Sequence, residues 1–183
     1  MAGPAGRFDK LSFPENPSQA LEAMMTDYGT AVLRTAHFYM GDRHLAEDAS
    51  QEAFIRAYRN WSSFRGDCSV KTWLTRITVN VCRDKLGLKM ASEQLMDPQL
   101  LQHAERDSAE DEALVRYSRT LILKHVAKLP PHYHEVIYFY YYMELSTREI
   151  AEATGTPEGT VRGRLHRARE LLGEHLKKEG LVQ

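Results

Sequence analysis

The residues from Thr156 to Leu172, TPEGTVRGRLHRARELL, combine clustered arginines with glycines in a stretch of helical spacing. At 100° per residue, one face of this helix is apolar and consists of Val161, Leu165, Ala168 and Leu172. The opposite face consists of Gly159, Gly163, His166 and Arg167, with Arg162 at its edge. Guanidinium groups suit phosphates and guanine edges, and an imidazole can reach a base. Each outward glycine lowers the stability of the helix by about 1 kcal/mol relative to alanine. This loss has a reason if a DNA groove comes close to that face, because glycine has no side chain. The alternative is a solvated basic face on a frayed helix.

The elements that would position this helix lie just before it. Ser146 and Glu149 form a capping box, STRE, that predicts the start of a short helix. Gly155 stands where that helix would end in the left-handed conformation. Thr156 can cap the next helix, and Pro157 suits its first position. We therefore expect a short helix, a tight turn and the arginine-rich helix in direct succession.

The spacing within this pair of helices is more specific than either cap. A helix-turn-helix needs a small residue where its helices cross, a glycine in the turn and an apolar anchor on the second helix. Ala151, Gly155 and Val161 meet these three needs in order. The sequence therefore predicts a helix-turn-helix whose second helix reads duplex DNA.

A second segment, VKTWLTRITVNVCRDKL at residues 70–86, divides into two sides. Its apolar stripe consists of Val70, Leu74, Ile77 and Val81, and another side carries Trp73, Arg76, Asn80, Arg83 and Asp84. Between Arg65 and Lys89 there are six bases and two acids. An aromatic ring, an amide and several cations suit single-stranded nucleic acid, whose bases stack while its backbone follows the positive charge. The alternative, with Trp73 in the core and the other side chains simply solvated, stays open.

The preceding segment, residues 43–61, shows two stripes of helical spacing. Ser50, Phe54, Ala57 and Trp61 are expected to face the core. A second stripe consists of Asp48, Gln51, Glu52 and Ile55. Acids and an amide beside an isoleucine could form a docking edge for a basic partner helix, although acidic helix faces are usually only solvated.

Composition limits the classes of protein to which the chain can belong. Its 183 residues fit one domain or two small ones. A net charge of −1 excludes a chain that is basic throughout, so nucleic-acid binding would depend on local charge. Cys68 and Cys82 form neither a disulfide framework nor a metal motif, which favours a reduced, cytoplasmic setting. No signal peptide or membrane-spanning run is visible, and no membrane insertion is expected.

The periodicity predicts an all-α protein of two small helical bundles joined by a flexible acidic linker. The first helix is expected from about Ser18 to Met40, with Leu21, Met25, Tyr28, Val32 and Ala36 on one face. Gly41 and Asp42 would end it and cap the next helix. Seven acids and two bases between Lys89 and Glu112 indicate a linker. Helices resume with ALVRYSRTLILKHVAKL, and Pro130–Pro131 starts another helix. The predicted segments are a tail (1–17), two modules (18–90 and 112–180) and the linker between them (91–111).

These residues resemble a known family. The stretch from Ala46 to Asp84, with Asp48, Gln51, Glu52 and Phe54 in a DxxQExF motif, resembles region 2 of bacterial RNA polymerase sigma factors. The stretch from Leu129 to Leu172 resembles their region 4, most specifically through Pro157–Arg169. A linker in place of region 3 is similar to the extracytoplasmic-function (ECF) group.

The resemblance implies a role for each surface. Region 2 would dock on the β′ clamp helices of the RNA polymerase core through Asp48, Gln51, Glu52 and Ile55. It would read the melted −10 element through Phe64, Arg65, Lys71, Trp73, Arg76, Asn80, Arg83 and Asp84. Region 4 would hold the β flap and read the −35 duplex through Thr160, Arg162, Gly163, His166 and Arg167. An anti-sigma factor is a further implied partner, and no catalytic role, cofactor or metal is implied.

The sequence departs from the family pattern at three places. Gly163 replaces a frequent serine, which leaves one groove contact absent or made by the backbone. Met143–Glu144 replaces a usual acid–glycine turn before the helix-turn-helix. Tyr138–Tyr142, YFYYY, is unusually aromatic, and we expect a core role with an exposed flank.

Two other functions are weaker alternatives. A stand-alone helix-turn-helix regulator would need a dimer to read two half-sites, and it would leave the region 2 motifs unexplained. A metalloenzyme could use His125, His132 and His134, but these histidines lack an HExxH motif or a carboxylate set. Surface or capping roles are expected for these histidines.

Overall fold

The computed structural model describes residues 13–89, 125–126 and 128–178. Within these ranges all regular structure is helical, which confirms the all-α prediction. The helices are α1 (Pro17–Met40), α2 (Arg43–Asn60), α3 (Val70–Lys89), α4 (Pro131–Ile137), α5 (Thr147–Thr154) and α6 (Glu158–Lys178). A 3₁₀ turn covers Trp61–Ser63, and a π-helical turn covers Tyr138–Tyr142.

The chain divides into two compact units. The first contains α1–α3, and the second contains α4, α6 and most of the residues between them. The predicted linker and most of the helix expected over residues 113–129 lie outside the described residues, as does most of the predicted tail. The boundaries proposed for the four segments therefore stay predictions.

Helix α1 begins and ends at the signals that the sequence offers. The Asn16 side chain accepts hydrogen bonds from the backbone N–H groups of Ser18 and Gln19, at 2.9 and 3.3 Å, and Pro17 occupies the first turn. At the other end Gly41 has a φ of 70° and donates its N–H to His37. The helix starts one residue before the predicted Ser18.

The expected inward face of α1 is only partly correct. Val32 and Ala36 are buried, but Met25 is 53% exposed, and Met24 is fully buried in its place. The two halves of α1 therefore bury slightly different sectors. Hydropathy alone does not show which apolar side chains of a long helix are buried, because burial depends on where the neighbouring helices pack.

Helix α2 follows its predicted pattern. Asp42 caps it by accepting a hydrogen bond from Leu45 N–H at 2.9 Å. The side chains of the predicted inner stripe are all buried: Ser50, Phe54, Ala57 and Trp61. Trp61 lies in the 3₁₀ turn that follows the helix. The inner stripe leaves the opposite side of α2 available for another role.

Helix α3 packs against both α1 and α2. Its buried sector is consequently wider than the single predicted stripe, and the buried side chains are Val70, Thr72, Trp73, Leu74, Thr75, Thr78, Val79, Val81 and Cys82. Ile77, expected inside, is only half-buried. The Ser69 hydroxyl caps the helix by accepting a hydrogen bond from Thr72 N–H at 3.0 Å.

In the second unit, α4 runs directly into the π-helical turn and packs against α6. Tyr138 and Phe139 are buried and Tyr141 is 57% exposed, so the aromatic stretch forms core with an exposed flank, as expected. After the turn, Glu144 has a φ of 55°. This left-handed conformation costs a residue with a side chain about 1–2 kcal/mol, a cost that glycine would not carry at this position.

The helix-turn-helix forms at the predicted residues. The capping box is made reciprocally, because Glu149 N–H donates to the Ser146 hydroxyl (3.3 Å) and Ser146 N–H donates to the Glu149 carboxylate (2.9 Å). Gly155 has a φ of 66° in the turn. Val161 N–H bonds the Pro157 carbonyl at 3.0 Å, so Pro157 occupies the cap position expected for Thr156, and Glu158 is the first helical residue.

Candidate nucleic-acid and partner-binding surfaces

The outward face of α6 is the one that the sequence predicts. Thr160, Arg162, Gly163, His166 and Arg167 are all exposed. Val161, Leu165 and Ala168 are buried beneath them, and Leu172 is half-buried. The five candidate −35 residues therefore form one continuous surface on a helix that the buried residues hold in place.

Arg162 has a carboxylate partner within α6. Its guanidinium donates to Glu158 Oε1 at 2.6 Å, and the same oxygen accepts a hydrogen bond from the Thr147 hydroxyl of α5 at 2.9 Å. The Thr147 bond, followed by that of Arg162, lowers the pKa of Glu158. Glu158 thus links the two helices of the motif and directs the Arg162 side chain. Both partners are exposed, so the pair is screened by solvent.

A second carboxylate serves the other end of the surface. Glu170 accepts a hydrogen bond from Arg167 at 2.9 Å, and His166 Nε2 lies 3.5 Å from its other oxygen. The bond raises the pKa of Arg167 and lowers that of Glu170. Each of these cations thus has a carboxylate partner on the same helix. A DNA phosphate would compete with that carboxylate for the cation.

The glycines of α6 stand in open space. A methyl group added at Gly159, Gly163 or Gly173 would meet no atom within 4 Å. Internal packing therefore gives no reason for these glycines. Gly159 and Gly163 lie among the candidate −35 residues, whereas Gly173 lies about two turns beyond His166 along the same helix. The close approach of a DNA groove to Gly159 and Gly163 stays a prediction.

The expected docking edge lies on the exposed side of α2. Asp48 and Gln51 are exposed, Ile55 is 44% exposed and Glu52 is half-buried. Tyr58, one turn beyond Ile55, is 42% exposed and extends the same stripe. The edge thus combines two carboxylates, an amide and two apolar groups, which suits a partner helix that carries both cationic and apolar side chains.

Arg56 lies next to this edge and bonds to two carboxylates. Its Nε donates to Glu52 Oε1 at 2.9 Å within α2, and its Nη1 donates to Asp84 Oδ2 of α3 at 2.8 Å. These bonds, first that of Asp84 and then that of Glu52, raise the pKa of Arg56. The forked guanidinium thus joins the docking edge to the exposed side of α3.

The exposed side of α3 retains most of the predicted single-strand surface. Arg76, Asn80, Arg83 and Asp84 are exposed at positions spaced along one strip of the helix. In the loop before α3, Arg65 is exposed, Lys71 is half-exposed, and Gly66 turns the chain with a φ of 75°. These side chains give a narrow cationic strip with one amide.

Two predicted members of the −10 surface lie in the core instead. Phe64 is 5% exposed and Trp73 is 6% exposed, and their rings stack with centroids 4.7 Å apart. Trp61 lies 5.5 Å from Phe64 and 5.9 Å from Trp73. The alternative left open for Trp73, a place in the core, is the one that the structure shows, because α3 packs against both α1 and α2 and the Phe64 ring of the preceding loop stacks on Trp73. The two rings shape the loop from beneath and offer no open face to a base.

The same cluster holds the chain before α1. Trp61 Nε1 donates to the Pro14 carbonyl at 3.0 Å. The Phe13 ring lies 6.0 Å from Trp61 and 6.2 Å from Tyr28. Residues 13–14 of the predicted tail therefore pack on the first unit. They are held there by Trp61, which the sequence predicts only as a core residue.

The three histidines considered as metal ligands differ in exposure. His125 and His134 are buried, although surface or capping roles are expected from the sequence, and His132 is exposed. Burial lowers the pKa of His134 to about 4 and raises that of Cys82 to about 12. Across the described ranges, no three His, Cys, Asp or Glu side chains are grouped as metal ligands. No helix among the described residues is long and apolar enough to cross a membrane.

Sequence reasoning missed the acids that hold the cations. Glu52–Arg56 and Glu158–Arg162 have i, i+4 spacing, which is a readable sign of a helical ion pair. The Arg56–Asp84 pair joins residues 28 positions apart, so no local pattern could have shown it.

Two segments of the chain match known protein families. The Sigma-70 region 2 family matches residues 24–88, and the Sigma-70 region 4 family matches residues 119–172. The ECF RNA polymerase sigma factor SigW of Bacillus subtilis is 34% identical over 167 residues, which cover 82% of this chain and 85% of the relative. The ECF RNA polymerase sigma-E factor of Escherichia coli K12 is 34% identical over 134 residues, covering 68% of this chain and 70% of the relative.

Solved structures share the fold. CnrH, solved in complex with the cytosolic domain of CnrY, has a TM-score of 0.63 at 22% identity and covers 93% of this chain and 97% of its own. The sigma factor RpoE of Bartonella quintana, solved with the anti-sigma factor NepR, has a TM-score of 0.63 at 20% identity, covering 85% of this chain and 96% of its own. With both sigma regions matched and relatives at 34% identity over most of its length, the chain belongs to the extracytoplasmic-function (ECF) family of RNA polymerase sigma factors.

Proposed function

We propose that the protein binds the RNA polymerase core and directs initiation to promoters by reading a −35 duplex and a melted −10 strand. The observation that carries this proposal is the coexistence, in one chain, of two exposed surfaces of opposite character. One is the acidic and apolar edge of α2, and the other is the cationic face of α6. A protein that needs both a protein partner and DNA uses two such surfaces.

Docking is assigned to Asp48, Gln51, Glu52 and Ile55, and we add Tyr58. Carboxylates on this edge attract the basic side chains of a partner helix, while Ile55 and Tyr58 supply apolar area that becomes buried. The β′ clamp helices of the polymerase are the partner that membership of the family implies for this edge. The β flap is the corresponding partner for the second unit.

The −35 duplex is assigned to Thr160, Arg162, Gly163, His166 and Arg167. Arginines contact phosphates and guanine edges in the major groove, and Gly163 allows a close backbone approach. Glu158 acts through Arg162, because it fixes the direction of that side chain from an anchor on Thr147.

The −10 strand is assigned to Arg65, Lys71, Arg76, Asn80, Arg83 and Asp84. Cations follow the phosphates, and Asn80 and Asp84 can bond to base edges. Phe64 and Trp73 support the loop that carries Arg65. A base flipped out of the duplex would be held at this loop, at an unstacking cost of a few kcal/mol.

The chain itself supplies recognition, and the bond-forming chemistry of transcription belongs to the polymerase. The protein would act in the cytoplasm, the compartment that holds the polymerase. Since CnrH and RpoE were solved with CnrY and NepR, an anti-sigma factor that covers the same surfaces is a further proposed partner. A stand-alone helix-turn-helix regulator is the disfavoured alternative, because it gives the α2 edge no role.

The decisive test is charge reversal on the docking edge. Glu52→Lys should abolish co-purification with the polymerase core, because it places a cation against the partner's cations. The matched control is Glu174→Lys, which makes the same charge change at an exposed position of α6 and should bind normally. Normal core binding by the Glu52 variant would refute the docking assignment.

A second measurement tests promoter selection itself. Run-off transcription with the core polymerase on a genomic library should yield transcripts that start at a common pair of upstream motifs only when the protein is present. An unchanged transcript set would overturn the proposed function. The recovered sequences also supply the −10 and −35 probes for the other experiments.

A further inference from the structure

Arg56 lies at hydrogen-bond distance from two carboxylates on different helices of the first unit. Its Nε bonds Glu52 at 2.9 Å along α2, and its Nη1 bonds Asp84 at 2.8 Å on α3. A guanidinium presents such donors in a rigid fork, so one side chain can hold both acids at once. The side chains of Arg56 and Glu52 are each 37% exposed, and that of Asp84 is 58% exposed.

The two acids belong to different surfaces. Glu52 is part of the docking edge, and Asp84 is part of the strip that faces the −10 strand; both assignments rest on the proposed function. Arg56 is therefore the shared counter-ion of a polymerase contact and a DNA contact, although it belongs to neither set of contact residues itself.

A cationic partner at Glu52 would compete with Arg56 for that carboxylate. Arg56 would then form its ion pair with Asp84 alone. The negative potential of Asp84 opposes the approach of a phosphate backbone. Arg56 bonds to Asp84 Oδ2, so it would reduce this repulsion while the other carboxylate oxygen could still accept a hydrogen bond from a base edge. By thermodynamic reciprocity, a bound strand would favour docking to the same extent.

We propose that Arg56 is a positioning residue that couples polymerase docking at Glu52 to −10 strand binding at Asp84. Arg56 contributes to this coupling with a positive sign. The pairs are partly exposed and screened, which limits the contribution of Arg56 to about a two- to fivefold change in affinity.

The test measures core-polymerase affinity of the full chain with and without a single-stranded oligonucleotide. The oligonucleotide carries the non-template −10 sequence of a promoter recovered by the run-off selection. The ratio of the two dissociation constants is the coupling factor. In R56Q this factor should fall about two- to fivefold relative to wild type, and the difference should shrink as salt rises from about 50 to about 300 mM.

The matched control is R43Q. Arg43 makes the same kind of pair on α2, with its Nε 2.9 Å from Glu47 Oε1, and this partner lies on the same helix instead of on α3. Its coupling factor should equal that of wild type. Should R56Q fail to fold by circular dichroism, R56K replaces it, since a single ammonium lacks the forked geometry and should also lower the factor.

An unchanged coupling factor in the folded Arg56 variant would overturn the inference. An equal loss in R43Q would also overturn it, because the effect would then come from the loss of a positive charge anywhere on α2. Failure of the wild-type protein to bind the core would count against the proposed function instead, so the two failures are distinguishable.

Discussion

At the scale of single residues, two cations of the proposed −35 surface already have carboxylate partners within α6. Arg162 is held by Glu158, and Arg167 by Glu170. Arg169 differs, because its Nε donates to the Tyr141 hydroxyl at 2.9 Å and its guanidinium lies 5.2 Å from the centre of the Tyr140 ring. The arginines of α6 thus differ in their partners: Arg162 and Arg167 pair with carboxylates of the same helix, and Arg169 contacts the aromatic turn at Tyr138–Tyr142.

This division predicts different results for alanine substitutions along α6. Arg162→Ala or Arg167→Ala should weaken binding of the −35 duplex about tenfold and lower the salt slope by about 1 for each phosphate that is no longer neutralised. Arg169→Ala should leave the slope unchanged, since that side chain is turned to Tyr140 and Tyr141. Fluorescence anisotropy with a −35 duplex, from low to moderate salt, measures both quantities. Equal slopes in all variants would contradict the groove assignment.

A buried histidine predicts the pH dependence of stability. Burial holds the pKa of His134 at about 4 in the folded state, whereas an unfolded chain binds the proton near 6.5. Between these values the unfolded state binds more protons, so the free energy of unfolding falls as pH falls. The loss reaches roughly 3 kcal/mol at the low end of this window.

Urea unfolding between about pH 7.5 and about pH 4.5 measures this loss. His134→Leu should flatten the pH dependence, because the titrating group is gone. His132→Gln, at an exposed position two residues away, serves as the control and should keep the wild-type dependence. A wild-type stability that is constant over this range would show that His134 titrates normally.

At the scale of elements, capping residues determine where helices start, and exposed glycines within a helix are expected where another molecule comes close. Helix α5 has eight residues, too few to be stable alone, and it depends on the Ser146–Glu149 box and on packing. Helix α6 is long enough to tolerate glycine, but each one still weakens it. Gly159 and Gly163 therefore lower the stability of α6, and we expect the reason to be a close approach of the −35 duplex.

Alanine substitution separates stability from binding at these glycines. Gly163→Ala should raise the free energy of unfolding by about 0.5–1 kcal/mol, since the new methyl meets no atom within 4 Å. The same change should weaken the −35 duplex, because the methyl group would enter the space of the groove. Gly173→Ala has equally open surroundings and should stabilise the helix with no effect on DNA. Unchanged DNA affinity in Gly163→Ala would remove close approach as the reason for that glycine.

At the scale of the whole molecule, the proposed function predicts a role for the chain between the two units. Each unit alone should bind DNA weakly, and joining the units on the polymerase should make the second contact intramolecular. The acidic composition of residues 91–111 should keep that segment off DNA. The length of the segment should therefore set both the strength of promoter binding and the tolerated spacing of the two elements.

Lengthening this segment tests its role. Doubling residues 91–111 with a Gly/Ser insert should lower the effective concentration about threefold, following the −3/2 power of length. Transcription at the native spacing should fall by a similar factor, and promoters with altered spacing should lose less. The same insert added after Gln183 is the control. Equal transcription from both insertion variants at every spacing would contradict a role of the segment in measuring distance.

The sequence by itself determined the features that depend on near neighbours in the chain. Caps at Asp42 and Ser146, the left-handed Gly155 and the two faces of α6 follow from period and local hydrogen bonding, which act over a few residues. The same holds for the exposed edge of α2. These features were sufficient to predict the helix-turn-helix and which side chains of α6 and α2 are exposed; their roles in binding DNA and the polymerase stay predictions.

Only the tertiary structure decided the features that depend on distant segments. Trp73 and Phe64 are core because α3 lies against two helices and the loop folds over its start, a choice that a single helical wheel does not contain. The Arg56–Asp84 bond and the anchoring of Pro14 on Trp61 join residues 28 and 47 positions apart. Periodicity reports which side of a helix is apolar, but burial and ion pairing depend on which other helices occupy that side.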